Sequence, residues 1–135
     1  MACRVLVVED EPDLAVTCQR LLCWQGYDVV SAGSRQAGLW AIRAEPFALV
    51  ITDLRLPDGD GLDVVRAARA TPTLTPVIVF TAFVSERSRR AALEAGAVAY
   101  LVKPFSVSAF TTLVREVLDA AACAPAAPPS PAPSA

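Results

Sequence analysis

Residues 4–13, RVLVVEDEPD, run the apolar side chains Val5 to Val8 directly into the acids Glu9, Asp10, Glu11 and Asp13. A short Val- and Leu-rich run without polar alternation fits a strand buried on both faces. Carboxylates at the end of such a strand lose hydration and repel one another. The stretch therefore calls for positive charge at the edge of the core.

Four more runs of this kind follow: Val29–Val30 with its flanks, Leu49–Ile51, Val77–Phe80 and Tyr100–Val102. Helical patterns separate them. Leu14, Cys18, Leu21 and Leu22 share a face, and Gly26 supplies a stop signal. Leu39 and Ile42 mark a second helix that opens near Ser34, an N-cap residue type. Leu62, Val65 and Ala68 mark a third, and Ala91–Ala95 a fourth that ends at Gly96. Phe110, Leu113, Val114, Val117 and Leu118 form the clearest stripe. Strand and helix alternate five times, which predicts an open α/β sheet with helices on both faces. After Ala120 the pattern gives way to prolines at 125, 128, 129, 131 and 133, which can neither continue a helix nor build a core. The expected organisation is a domain over 1–121 and a Pro/Ala-rich disordered tail or linker over 122–135.

A chain of 135 residues suits one domain with a real core. With 54% hydrophobic residues and a net charge of −2, it reads as soluble and globular, without a basic patch for nucleic acid. No apolar run approaches the roughly 20 residues of a membrane span, and the N-terminus lacks the features of a signal peptide. A cytoplasmic protein is expected. The cysteines Cys3, Cys18, Cys23 and Cys123 have no C-x-x-C spacing, and the chain contains no histidine. That excludes a zinc site of the usual kind, Ser-His-Asp and Cys-His catalysis, and a histidine phosphocarrier within this chain. Cys18, on an apolar helix face, reads as a buried thiol. Trp24 and Trp40 read as packing residues at helix surfaces, with partner docking as the alternative for Trp40.

In open parallel sheets, chemistry collects beyond the C-terminal ends of the strands. Here the first strand ends in Glu9-Asp10, the third in Asp53, the fourth in Thr81 and the fifth in Lys103. If the first and third strands are neighbours, three carboxylates converge with a lysine opposite. Such a cluster suits Mg²⁺, a hard cation that takes oxygen ligands. Glu11 and Asp13, beside Pro12, read instead as helix-start acids. Lys103-Pro104 is an X-Pro bond, the usual place for a cis peptide.

Four motifs in this order, VVEDEP (7–12), ITDLRLPDGDGLDV (51–64), VIVFTAF (77–83) and AVAYLVKPF (97–105), make the chain resemble the receiver domain of two-component response regulators over residues 3 to about 121. The resemblance implies a flavodoxin-like, doubly wound sheet of five parallel strands in the order 2-1-3-4-5, with five flanking helices. It also implies that Glu9 and Asp10 hold Mg²⁺ with Asp53 and the backbone carbonyl of Arg55. Asp53 would accept a phosphoryl group from the phosphohistidine of a sensor histidine kinase or a histidine phosphotransfer protein. Thr81 and Lys103 would bind that group, and the Tyr100 rotamer would follow Thr81. Pro57, Gly61 and Pro104 would shape the adjoining turns, while Arg55 and Phe83 would flank the approach of water.

This chain departs from the family at Ala48, a position often acidic in relatives, and at Phe83, where size and polarity vary among them. The same resemblance implies a switching surface on the fourth helix, fifth strand and fifth helix, suited to homodimerisation or a partner. It implies no direct contact with nucleic acid or membrane and no enzyme activity beyond self-phosphorylation and dephosphorylation. The charge of Lys103 is expected to serve the site and not the core. Among alternatives, a metal-dependent phosphatase with an aspartyl nucleophile would usually carry a second acid two residues later. Arg55 stands there after Asp53, and Pro12 after Asp10. A flavodoxin-like cofactor binder would need a Gly-rich phosphate loop after the first strand. A fold that only binds partners would not need the complete set of polar strand ends.

Overall fold

A computed structural model describes residues 3–82 and 84–121 of the chain. Five strands build the main sheet: β1 (Arg4–Val8), β2 (Asp28–Ala32), β3 (Leu49–Thr52), β6 (Val77–Thr81) and β7 (Ala99–Val102). All pairings are parallel, and the spatial order is β2-β1-β3-β6-β7. This is the expected 2-1-3-4-5 pattern. The numbering shifts because a two-stranded antiparallel ribbon, β4 (Arg55–Leu56) with β5 (Gly59–Asp60), intervenes between β3 and the third helix. Sequence periodicity gave no sign of strands this short. Five helices complete the fold: α1 (Pro12–Trp24), α2 (Arg35–Ala44), α3 (Leu62–Arg69), α4 (Glu86–Ala95) and α5 (Val107–Ala120). The expected tail at 122–135 lies outside the described residues.

Strand alternation divides the core into two layers. Val5 and Val7 of β1, with Leu49, Ile51, Ile78 and Phe80, pack under Cys18 and Leu22 of α1 and Phe110, Val114 and Leu118 of α5. Leu6 and Val8, with Val50, Val77 and Val79, pack under Val64, Val65 and Ala68 of α3 and Ala92 of α4. Leu39 and Ile42 of α2 join the second layer. Each fully buried aliphatic or aromatic side chain contributes roughly 1.5–3 kcal/mol. Burial on both faces holds throughout β3 and β6 and over Val5–Val8 of β1. The edge strands β2 and β7 are partly exposed, because each has a neighbour on one side only. Trp24 and Trp40 do not pack: they are 65% and 70% exposed, at the solvent side of α1 and α2.

The helix ends follow local chemistry. Ser34 Oγ accepts from Ala37 N at the start of α2 as expected, and Gly26 and Gly96 take positive φ after α1 and α4. The fourth helix begins at Glu86, well before its apolar segment, because Ser85 and Ser88 form a reciprocal capping box around its polar first turn. Gly61, the N-cap of α3, is fixed by crowding. A Cβ there would stand 1.9 Å from the carbonyl oxygen of Asp53, and its own N–H donates to Leu54 O at 2.8 Å. Gly61→Ala should therefore destabilise the protein by about 1–3 kcal/mol through overpacking, read as a lower urea midpoint with an unchanged slope.

Candidate functional site

Parallel register brings the polar residues to one edge. Val8 lies beside both Ala32 and Thr52, and Thr81 beside Val102. The next residues, Glu9, Asp53 and Lys103, therefore emerge together at the C-terminal edge of the sheet. The main chain continues the pattern: Asp53 N donates to Val8 O at 3.1 Å and Lys103 N to Thr81 O at 2.9 Å.

Lys103 is the centre of this group. Its Nζ donates to Glu9 Oε1 and to Asp53 Oδ2, both at 2.6 Å, and stands 4.8 Å from the Phe80 ring centroid. The Lys103 side chain is 14% exposed, that of Glu9 1% and that of Asp53 7%. Phe80, Phe105 and Phe110 stack in succession and seat the segment after the cis Lys103-Pro104 bond. The remaining carboxylate oxygens take backbone donors, Glu11 N to Glu9 Oε2 at 2.9 Å and Arg55 N to Asp53 Oδ1 at 3.1 Å. Glu11 occupies the N-cap position of α1 but makes no side-chain cap bond. It stands as an exposed acid at the helix start, as expected, and its amide donates to Glu9. Asp13 does lie in the first turn of α1.

Burial pushes the Glu9 carboxyl up from its ordinary range, with Asp53 adding to the rise; the Lys103 bond and charge and the Glu11 amide offset this only in part. Burial alone would lower the Lys103 ammonium, but hydrogen bonds and charges from Asp53 and Glu9 outweigh it and hold it above its ordinary value. Cys18 is the expected buried thiol, pushed up to about 12 by burial, with the Glu9 charge as a smaller contribution.

Asp10 is exposed beside this buried pair. One carboxylate oxygen from each of Glu9, Asp10 and Asp53 lies within 4.8 Å of the others. Three hard oxygen donors, two of them buried, fit a divalent cation such as Mg²⁺. Thr81 is fully buried at the end of β6. Tyr100 is half-buried and its hydroxyl lies 2.9 Å from Ser88 Oγ, inside the α4 capping box. Pro57 forms the turn between β4 and β5, and Arg55 opens β4. Phe83 lies outside the described residues.

The model of the response regulator receiver domain matches residues 5–115.

This chain belongs to the receiver domain family of response regulators.

As a receiver it resembles the probable transcriptional regulatory protein TcrX of Mycobacterium tuberculosis, with 36% identity over 114 residues. It resembles the response regulator protein PilR of Pseudomonas aeruginosa to the same 36%, over 115 residues. These alignments cover 84% and 85% of the chain, but 49% of TcrX and 26% of PilR. The chain thus spans about half, or less, of these relatives' length. Among solved structures, a CheY-like receiver from Methanospirillum hungatei superposes with a TM-score of 0.86 at 29% identity, covering 90% of this chain and 98% of that one. The beryllofluoride-activated NtrC4 receiver domain dimer superposes at 0.81 and 29% identity, covering 87% and 98%.

Two residues of this receiver escaped the sequence reading. Ser88 is visible in hindsight as the fourth residue of a Ser-x-x-Ser capping pattern. Asp58, in the Pro57-Asp58 turn, accepts from Arg35 N and Gln36 N across the fold, and no local pattern encodes that partnership.

Two nearly buried carboxylates share the one ammonium of Lys103, so its loss bears on stability as well. Lys103→Ala should cost about 3 kcal/mol at neutral pH without added metal, the scale of breaking a buried pair. Having lost the group that lowers it, the Glu9 carboxyl rises further in the variant. A raised carboxyl opposes folding while ionised, so the defect should shrink as pH falls towards the ordinary 4.5. In the parent, the raised ammonium stabilises fully below the ordinary 10.5 and loses that contribution as pH climbs through its folded value. Urea midpoints measured from pH 4 to 11 on both proteins check the two signs.

Proposed function

We propose that this receiver takes a phosphoryl group onto Asp53 from a phosphohistidine of a sensor histidine kinase or histidine phosphotransfer protein, in a Mg²⁺-dependent reaction. The observation that carries the reading is the placement of Asp53. Its carboxylate is nearly buried, with one oxygen on Lys103 and the other on the Arg55 amide, beside oxygens of Glu9 and Asp10. These donors fix the carboxylate before any partner arrives, so its orientation needs no further ordering. An Asp53 oxygen bonds to phosphorus as the phosphorus–nitrogen bond breaks, and the electron pair leaves with the imidazole of the partner. These 135 residues contain no histidine, so the donor group lies outside them.

Glu9, Asp10, Asp53 and the Arg55 carbonyl would hold Mg²⁺, which when bound neutralises charge on the transferring group. Lys103 exchanges one carboxylate contact for a phosphoryl oxygen, and Thr81 supplies a hydroxyl from the next strand end. The receiver spans 1–121 in this reading and acts in the cytoplasm, with 122–135 as a tail or linker. Arg55 flanks the water that later hydrolyses the acyl phosphate. Labelling of the intact chain by a small acyl-phosphate donor tests the assignment. One phosphoryl group should be taken up with Mg²⁺, and Asp53→Asn or a chelator should abolish uptake; label that persists on the Asn variant would sink it.

The output surface in this reading is α4, β7 and α5. Support comes from Tyr100, whose hydroxyl reaches the first turn of α4 through Ser88, and from Leu93, Val98 and Val102, which are 40%, 47% and 44% exposed. New bonds from a phosphoryl group to Thr81 and Lys103 supply the differential free energy that a shift of this face requires. The similar NtrC4 receiver forms a dimer when activated, and a homodimer through this face is the matching proposal here. Beryllofluoride should change amide exchange over residues 85–118. Identical exchange with and without it would count against the face.

A further inference from the structure

The β4–β5 ribbon has two residues on each strand, Arg55 opposite Asp60 and Leu56 opposite Gly59. A two-stranded ribbon is marginal by itself even when much longer. Its position must therefore come from what it touches. One end is tied to the Asp53 side of the fold through Gly61 N–H to Leu54 O. The tip is tied elsewhere. Asp58 Oδ1 accepts from Arg35 N at 2.7 Å and Oδ2 from Gln36 N at 2.9 Å. Arg35 and Gln36 are the first two residues of α2, whose own N-cap Ser34 serves the third amide, Ala37 N. Helix-start amides lack intrahelical partners and carry partial positive charge, so a carboxylate is well matched to them.

The contact is shaped as well as charged. The Arg35 side chain runs over Gly59, where a Cβ would come within 2.6 Å of Arg35 Cδ, and Arg35 Nε reaches Asp63 Oδ2 at 2.8 Å in the first turn of α3. The Asp58 carboxyl is held below the usual carboxylate range, first by the Gln36 amide.

We propose that Asp58 is a positioning residue for the cation site: clamped onto the start of α2, it fixes the ribbon that carries the Arg55 main chain beside Asp53. The proposal rests on the reading of Glu9, Asp10, Asp53 and the Arg55 carbonyl as a Mg²⁺ site. Through this clamp α2, which contributes no residue to the site, controls one of its backbone groups. Outer hydrogen bonds that orient metal ligands typically change affinity by about 10- to 100-fold. Asp58 acts one step further out, so about tenfold is expected.

The test is Mg²⁺ titration of the unphosphorylated full chain, followed by NMR at fixed ionic strength. Asp58→Ala should weaken Mg²⁺ about tenfold, and Asp58→Asn, which keeps one acceptor, by less. Ser34→Ala removes the other cap of the same helix without releasing the ribbon, and should leave Mg²⁺ affinity unchanged. Parent-like affinity in Asp58→Ala overturns the proposal and leaves the cation reading standing. Equal weakening by Ser34→Ala overturns it too, because helix stability would then explain the effect. If Asp58→Ala fails to fold, parent-like affinity in Asp58→Asn overturns it. If the parent and Asp10→Asn both fail to bind Mg²⁺, the cation reading falls and the proposal with it.

Discussion

The Lys103 ammonium between Glu9 and Asp53 is the interaction on which the rest of this site depends. Removing a carboxylate from water costs several kcal/mol, and here two nearly buried carboxylates end neighbouring strands. Surface pairs such as Arg4 with Asp28 are worth at most about 1 kcal/mol and could be lost with little effect. The lysine cannot, because both its partners would remain buried without its counter-charge, each still bonded to a backbone amide. As a charged donor it favours an ionised carboxylate more strongly than a neutral hydrogen-bond donor would. The acidic cluster is thereby compatible with a packed sheet.

That arrangement needs a rigid frame, and the parallel sheet supplies it. Residues from four strands reach one edge because each strand is in register with its neighbour, not because they are close in sequence. Side chains mounted at the ends of buried strands inherit the precision of the core beneath them. The Phe80–Phe105–Phe110 stack extends the same principle past the last strand, holding the main chain that follows Lys103.

Around this fixed edge lie two further connections. The β4–β5 ribbon joins the Asp53 region to the start of α2 through Asp58, and Tyr100 joins β7 to the start of α4 through Ser88. Both end on the first turn of a helix: Asp58 accepts from two α2 amides, and the Tyr100 hydroxyl meets the Ser88 hydroxyl of the α4 capping box. Each links the sheet edge or its flank to a helix start, and no fully buried side chain takes part.

The order of elements and the polar residues gathered at the sheet edge were legible in the sequence for a physical reason. Strands buried on both faces must be continuously apolar, so the polar residues that end them, Glu9, Asp53, Thr81 and Lys103, stand out against the runs. Caps were legible where donor and acceptor are local, as at Ser34. The ribbon was not, since two-residue strands have no periodicity. Neither was the partnership of Asp58 with Arg35 and Gln36, more than twenty residues away, nor the solvent exposure of Trp24 and Trp40. Which of several acids becomes buried is likewise a tertiary outcome. Glu9 and Asp10 are adjacent in the chain, yet only Glu9 is turned into the core, because the direction of a side chain at a strand end depends on the sheet that the strand joins.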